Sequence, residues 1–274
     1  MTGPAGELEA KARALLREMG SVLVAYSGGV DSALVLKLAT QELGPRAVGV
    51  IGISPSLAAD DLAQARTTAA GMGAVLREMR TDEFTDERYA ANPLNRCYFC
   101  KAELYGQLAA RAAAEGFHWI ADGFQLDDFG EVRPGRKAGE ERQVRSPLAE
   151  AGFRKQEVRD LARALGLPVW DRPAAPCLSS RVAFGLAVTP AVVKSVEAAE
   201  RAVRAAVPTT RDLRVRHLPH GEARIEVDTE RVADLLAVLP TVESALKALG
   251  YLTVTIAPDG YRRGALAAPV AVAR

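Results

Sequence analysis

Two features of the sequence stand out as reactive: the run Ser27-Gly-Gly-Val-Asp-Ser32 and the three cysteines Cys97, Cys100 and Cys177. In the run, Gly28 and Gly29 can take backbone conformations closed to other residues and let main-chain N–H groups approach a ligand. A helix starting behind them would aim its unpaired N–H groups and positive dipole end at the turn. Ser27 and Ser32 add hydroxyl donors. The result is an anion cradle suited to phosphate. It lacks the Lys-Ser/Thr pair of a Walker loop and the G-x-G-x-x-G dinucleotide fingerprint. The plain alternative is a capped helix after a tight turn, with Asp31 only favouring the helix start.

Cys97 and Cys100 form a C-x-x-C pair in Asn95-Arg-Cys-Tyr-Phe-Cys-Lys101, and Cys177 lies in Ala175-Pro-Cys-Leu-Ser-Ser-Arg181. Alone the pair is compatible with zinc, a redox disulfide or an iron–sulfur cluster. His118, His217 and His220 are not spaced to complete a zinc site. Three cysteines suit a [4Fe–4S] cluster with one iron unligated by protein, open to a hydrosulfide. A disulfide or persulfide between Cys177 and the pair is the rival chemistry. Arg96, Lys101 and Arg181 flank the cysteines, and positive charge favours the thiolate. An odd cysteine count argues against a disulfide framework, which points to a reducing, cytoplasmic setting.

The elements that must position these groups follow from the apolar pattern. Val22–Tyr26 reads as a buried strand and Ala33–Leu43 as a helix. Ala47–Ile53, Ala74–Met79 and Phe117–Ala121 read as further strands. Glu7–Met19, Leu57–Ala70 and Arg154–Leu165 read as helices, the last ended by Gly166 and Pro168. Strands alternating with helices imply a parallel sheet covered on both faces, with ligands at the carboxyl ends of its strands. Asp122-Gly-Phe-Gln-Leu-Asp-Asp128 would follow the fourth strand at that edge, either as a polar turn or as carboxylates holding Mg²⁺. Gly130–Gln143 shows no period and reads as an exposed loop.

Near Gly185 the character changes. Thr189–Val207 reads as a helix capped by Thr189 with Pro190 at its first position. Leu213–His217 and Ala223–Asp228 alternate as half-buried strands, Thr229–Leu239 and Thr241–Leu249 as helices, and Tyr251–Ile256 as a strand. This predicts a domain over 1–185 and a smaller α+β domain over 186–274, with the boundary between about 182 and 188. The residues from Gly264 to Arg274 read as a loose tail. Net charge is +1, too small a field for a nucleic-acid partner. The start of the chain is charged and amphipathic, unlike a signal peptide, and no apolar run approaches the ~20 residues of a membrane span.

Ser27–Ser32 resembles the pyrophosphate loop of ATP pyrophosphatases. Together with Asn95–Lys101, Pro176-Cys-Leu-Ser-Ser-Arg181, Ala223-Arg-Ile-Glu226 and Asp259-Gly-Tyr-Arg262, it is similar in order and spacing to LarE-type ATP-dependent sulfur transferases. The resemblance implies an α/β pyrophosphate-loop domain of the adenine nucleotide alpha hydrolase-like kind, with a smaller C-terminal domain. It implies ATP and Mg²⁺ at Ser27, Gly28, Gly29, Asp31 and Ser32. The substrate would be a pyridinium biscarboxylate mononucleotide, converted to the dithiocarboxylate precursor of the nickel-pincer cofactor of lactate racemase. Cys177 would act in sulfur transfer beside Asp31 and Lys101. In one kind of family member the matching cysteine gives up its own sulfur; in the other it joins a C-x-x-C pair on a [4Fe–4S] cluster, and Cys97 and Cys100 place this chain with the latter. The assembly implied is a homo-oligomer such as a hexamer. Phe124-Gln125 departs from the Thr-Asn pair expected after Asp122-Gly123.

Lys101, Ser180 and Arg181 adjoin cysteines and are candidates to contact nucleotide or substrate phosphate. Arg214 and Arg216 alternate on one strand, Arg224 and Glu226 on the next. Two same-face arginines can grip a phosphate with forked bonds; the alternative is cross-strand Arg–Glu pairing. Rival functions are a tRNA thiolase, which would need a basic surface, an ammonia-dependent synthetase and a non-catalytic nucleotide sensor.

Overall fold

The computed structural model describes residues 4–129 and 134–262. The expected tail from Gly264 lies outside the described residues. In chain order the elements are α1 (Pro4–Met19), β1 (Val22–Ala25), α2 (Val30–Leu43), β2 (Ala47–Ile53), α3 (Ala59–Gly71), β3 (Val75–Arg80), α4 (Glu87–Ala90) and α5 (Arg96–Glu115). There follow β4 (Trp119–Ala121), α6 (Pro134–Glu141), α7 (Pro147–Ala151), α8 (Lys155–Ala164), α9 (Pro190–Ala206), β5 (Leu213–Leu218), β6 (Glu222–Val227), α10 (Val232–Ala237), α11 (Leu239–Ala248) and β7 (Thr253–Ile256). Among the described residues no helix is long and apolar enough to cross a membrane.

The chain forms two compact units. The first holds residues 1–54, 59–83 and 95–175. Its four strands pair in parallel in the order β3-β2-β1-β4. Leu23, Val24, Val48 and Val50 are buried in its core, as continuous apolar strands with both faces covered must be. The strand order decides where a ligand can sit. The chain steps from β1 to β2 to β3 in one direction and then returns to place β4 on the other side of β1. Such a reversal opens a crevice at the carboxyl ends of the two strands concerned, and Ser27 and Asp122 follow those two strands directly.

One expectation in this unit is corrected. The described part of Gly130–Gln143 is mostly a helix, α6, and not an exposed loop. Gly135, Ala138 and Gly139 are its buried positions. Small residues at i, i+3 and i+4 make a face that packs closely but carries no apolar signal. A Cβ at Gly135 would lie 2.9 Å from Lys101 Cγ and 3.4 Å from the Cys97 carbonyl oxygen, so α6 lies against the first turns of α5.

The second unit holds residues 55–58, 84–94 and 176–274. It starts about ten residues before the change in sequence character and borrows two earlier segments. The borrowing has a hydrogen-bond basis. Asn92, fully buried, donates to the Ala183 carbonyl at 2.8 Å, the Tyr89 hydroxyl meets Ser179 Oγ at 2.8 Å, and Leu178 N–H donates to Ser56 O. Its sheet pairs β5 antiparallel to β6 and β6 parallel to β7. Thr189 caps α9 by accepting from Val192 N–H, with Pro190 in the first turn, as expected. Leu213, Val215, Ile225 and Val227 form one sheet face, packed with Val203, Leu235, Val242 and Leu246. Since strand side chains alternate, Arg214, Arg216, Arg224 and Glu226 share the opposite face.

Candidate active site

The glycine turn is built as an anion cradle. Gly28 has φ +78°, and a Cβ there would meet Ala65 Cβ at 2.8 Å. Gly29 is the N-cap of α2 and places no side chain on the helix's first N–H groups. The two serines brace the turn from within: Ser27 N–H donates to Ser32 Oγ at 3.1 Å, the two hydroxyl oxygens are 3.1 Å apart, and Ser32 Oγ donates to Gly29 O. The helix begins at Val30, three residues earlier than the apolar pattern indicates. Asp31 and Ser32 are therefore first-turn residues, and the helix dipole acts directly on the turn.

Asp31 is not left facing solvent alone. Lys155, the first residue of α8, places its ammonium 2.8 Å from Asp31 Oδ1 and 2.6 Å from Oδ2. Sequence reasoning missed this lysine. It is 124 residues from its partner, and its only local mark is that it opens a helix just after Gly152.

The segment 122–128 is held by protein donors. Asp122, buried, accepts from Ser146 Oγ at 2.7 Å, Tyr105 OH at 2.9 Å and Phe124 N–H at 3.1 Å. Burial raises the Asp122 carboxyl above its ordinary value despite these donors. Burial, with Asp122 close by, drives the Tyr105 phenol well above its own. Asp127 accepts from Lys155 N–H and from Arg154 Nη1, both at 2.9 Å, and Asp128 accepts from Gln125 N–H. These hydrogen bonds are those of a polar turn. The departing pair is absorbed locally: Phe124 lines a cavity of about 270 Å³ with Phe129 and Val144, and buried Gln125 accepts from Asp127 N–H. Gly123 packs on the glycine turn, where a Cβ would lie 2.6 Å from Ser32 N.

Cys97 and Cys100 sit on the first turns of α5, Cys97 exposed and Cys100 half-buried. The positive end of a helix dipole favours a thiolate there. Lys101 follows, its ammonium 5.3 Å from the Tyr105 ring centroid and close enough to Asp122 to act on its charge. Neither cysteine is in a disulfide, and nor is Cys177.

In the second unit Cys177 is exposed and caps the short turn Leu178–Arg181. That turn is rigidly held. Arg181, 5% exposed, donates to the carbonyls of Pro176 and Cys177 and forks onto Glu200 at 2.8 and 3.2 Å. Ser180 accepts from Arg216 at its carbonyl oxygen and from Arg181 at its hydroxyl oxygen, both at 3.2 Å. Arg216 forks onto Glu226 Oε2 at 2.7 and 2.9 Å, and Arg224 approaches Glu226 Oε1 at 3.5 Å. Arg214 is buried, its guanidinium 4.9 Å from the Tyr261 ring centroid. Burial and then the neighbouring Arg181 charge lower its affinity for its proton. The face thus gathers Arg181, Arg214, Arg216 and Arg224 around Glu200 and Glu226, an excess of positive charge. Both cross-strand Arg–Glu pairing and a gathering of arginines are present. Within either unit, among the described residues, no three His, Cys, Asp or Glu side chains gather as a metal site.

Comparison with known proteins finds no matching family model. It finds a protein of Synechocystis sp., itself uncharacterized, 40% identical over 260 residues, covering 93% of this chain and 94% of that protein. The pyridinium-3,5-bisthiocarboxylic acid mononucleotide synthase of Lactiplantibacillus plantarum is 35% identical over 254 residues, covering 92% of this chain and 90% of that enzyme. An uncharacterized Methanocaldococcus jannaschii protein is 27% identical over 183 residues, covering 67% of this chain and 69% of its own.

Proposed function

Since the chain belongs to the family of the pyridinium-3,5-bisthiocarboxylic acid mononucleotide synthases, we propose that it is an ATP-dependent sulfur transferase of nickel-pincer cofactor synthesis. It adenylates a carboxylate of pyridinium-3,5-biscarboxylic acid mononucleotide and replaces the oxygen by sulfur. The observation that carries this reading is the braced glycine turn at the switch point of the parallel sheet, with the α2 dipole behind it.

The physical problem is the leaving group. A carboxylate does not exchange oxygen for sulfur directly, because oxide or hydroxide would have to leave. Attack of the carboxylate oxygen on the α phosphate breaks the α–β anhydride, releases pyrophosphate and forms an acyl-adenylate. Hydrosulfide or a thiolate then adds at the acyl carbon, and AMP leaves. In the first step charge accumulates on the departing pyrophosphate. Main-chain N–H groups of the turn are oriented in advance to meet that charge, and the Ser27 and Ser32 hydroxyls brace the turn that holds them. Mg²⁺ supplies further charge neutralisation when bound. Asp31 fits it, being a hard oxygen ligand whose two oxygens already attract one cation, Lys155. Lys101 beside Tyr105 is a second phosphate-facing candidate.

The substrate's own phosphate suits the arginine face. Arg214 and Arg181 repel each other there, so an arriving dianion relieves a strain already present. Arg214, Arg216 and Arg224 would receive it, with Glu226 fixing the forks, and Ser180 and Arg181 hold the Cys177 turn. Three thiols outside any disulfide fit the donor set of a [4Fe–4S] cluster, which would supply an iron able to carry hydrosulfide. The chain would act in the cytoplasm as a homo-oligomer such as a hexamer.

The test is anaerobic turnover with the pyridinium dicarboxylate, Mg·ATP and sulfide. Pyrophosphate and a thiocarboxylate should appear together, and Cys177→Ala should keep the first and lose the second. Absence of both products from the unaltered chain overturns the reading. The protein should carry about four irons per chain; an iron-free preparation that transfers sulfur repeatedly excludes the cluster.

A further inference from the structure

The Asp31–Lys155 pair raises a question that stability does not answer. Its side chains are 27% and 39% exposed, and a pair so open to water contributes little to stability. Yet its position is over-determined. Asp127 accepts the Lys155 N–H and the Arg154 guanidinium, fixing the start of α8. Leu126 N–H donates to Phe153 O, tying the same loop to the residue before the helix. Gly123 presses that loop against Asp31 and Ser32. Three independent restraints thus hold one ammonium against the single carboxylate of an anion cradle.

The electrostatics say what this does. A bare carboxylate at the turn would repel the polyphosphate that the turn is built to receive. A divalent cation bound there without nucleotide would fill the site with the wrong partner. An ammonium cancels the carboxylate's charge, and its weak, exposed pairing opens at low cost when a stronger partner arrives. We propose that Lys155 is a placeholder cation on Asp31: it keeps divalent metal off the carboxylate until metal and nucleotide enter together, then turns to the phosphates, and Asp127 is the positioning residue that holds it in reach of both. The exchange moves no proton and breaks no covalent bond. Metal replaces ammonium on Asp31, and ammonium replaces water on the phosphates. The inference rests on the adenylating role proposed above.

The test separates the two. Mn²⁺ binding is measured by electron paramagnetic resonance on the full-length protein, with and without ATP, beside pyrophosphate release. The unaltered protein should take up Mn²⁺ only with ATP. Lys155→Met should bind Mn²⁺ without ATP at least about tenfold more tightly, and lose pyrophosphate release through a raised KM for ATP. Lys155→Arg should restore the exclusion of Mn²⁺. Asp127→Ala should show part of both changes, with kcat less affected than KM. Lys155→Met with unaltered Mn²⁺ binding, or with an unaltered KM for ATP, overturns the placeholder. No pyrophosphate release by the unaltered protein overturns the function instead, and leaves the Mn²⁺ comparison to decide the placeholder alone.

Discussion

The glycine turn after β1 and the arginine face of the second unit, the two places proposed to receive phosphate, would do so by opposite means. The turn uses backbone: N–H groups at the head of α2, two glycines and two hydroxyls that bond to each other and to the turn's own backbone. The arginine face uses side chains, four guanidinium groups partly neutralised in advance by buried Glu226 and half-buried Glu200. A backbone site costs no desolvation of charge but depends on close packing, so its weak points are steric. A side-chain site is adaptable but must hold buried charge, so its weak points are electrostatic. On the proposed function, with ATP at one place and a mononucleotide at the other, the chain would carry two kinds of fragility.

The largest effect expected is on the arginine face. Glu226→Ala strands Arg216, whose side chain is 7% exposed. Breaking one partner out of a buried pair costs about 3–5 kcal/mol, so urea unfolding should show the second unit strongly destabilised. Glu226→Gln should cost less, because the amide oxygen can still accept from Arg216. Equal losses would mean that Glu226 matters by shape and not by charge. The corresponding break at the turn is steric. Gly123→Ala drives a methyl to within 2.6 Å of Ser32 N, and overpacking of this sort costs about 1–3 kcal/mol. Its larger consequence is for turnover, because a misplacement of about 1 Å at a reacting group costs about 10²-fold. Pyrophosphate release should fall by that order while the unfolding midpoint moves less than for Glu226→Ala. If Gly123→Ala turns over normally, the turn yields, and the contrast between a stiff backbone site and an adaptable side-chain site fails.

What could be read from sequence follows the same division. β1, the turn and α2 are contiguous, and glycine chemistry and apolar period mark them plainly. The pairing of Arg216 with Glu226 follows from alternation on adjacent strands. The Lys155–Asp31 contact, the lodging of Tyr89 and Asn92 beside residues 179–183, and the packing of α6 on the C-x-x-C turn were not legible. The first two join residues about a hundred positions apart. The third rests on Gly135, Ala138 and Gly139, whose value lies in the side chains they lack. Sequence period reports burial of large apolar groups, and it is silent where packing is achieved by small ones.

The smallest effect isolates charge that has no partner. His217 lies on β5 next to Arg216, with its side chain on the other sheet face. Its Nδ1 is buried and has no hydrogen-bond partner among the described residues, and its ring meets Tyr251 edge-on at 5.7 Å between centroids. Burial lowers its affinity for a proton below the ordinary value of 6.5. The unfolded chain therefore binds that proton at higher pH than the folded one. Stability is full above about pH 6.5 and declines as pH falls through that value, until the folded histidine is itself protonated. Carboxylates held low by arginine, such as Glu42 beside Arg13 and Arg17, release their stabilisation only at more acidic pH, so the two contributions separate. His217→Phe keeps the ring contact with Tyr251 and removes the titrating group, so it should flatten the midpoint-against-pH curve between about pH 7.5 and 5.5. An unchanged slope in that variant would move the acid sensitivity to the arginine face and its carboxylates, and the two sheet faces of this unit would then not differ in the way their charges suggest.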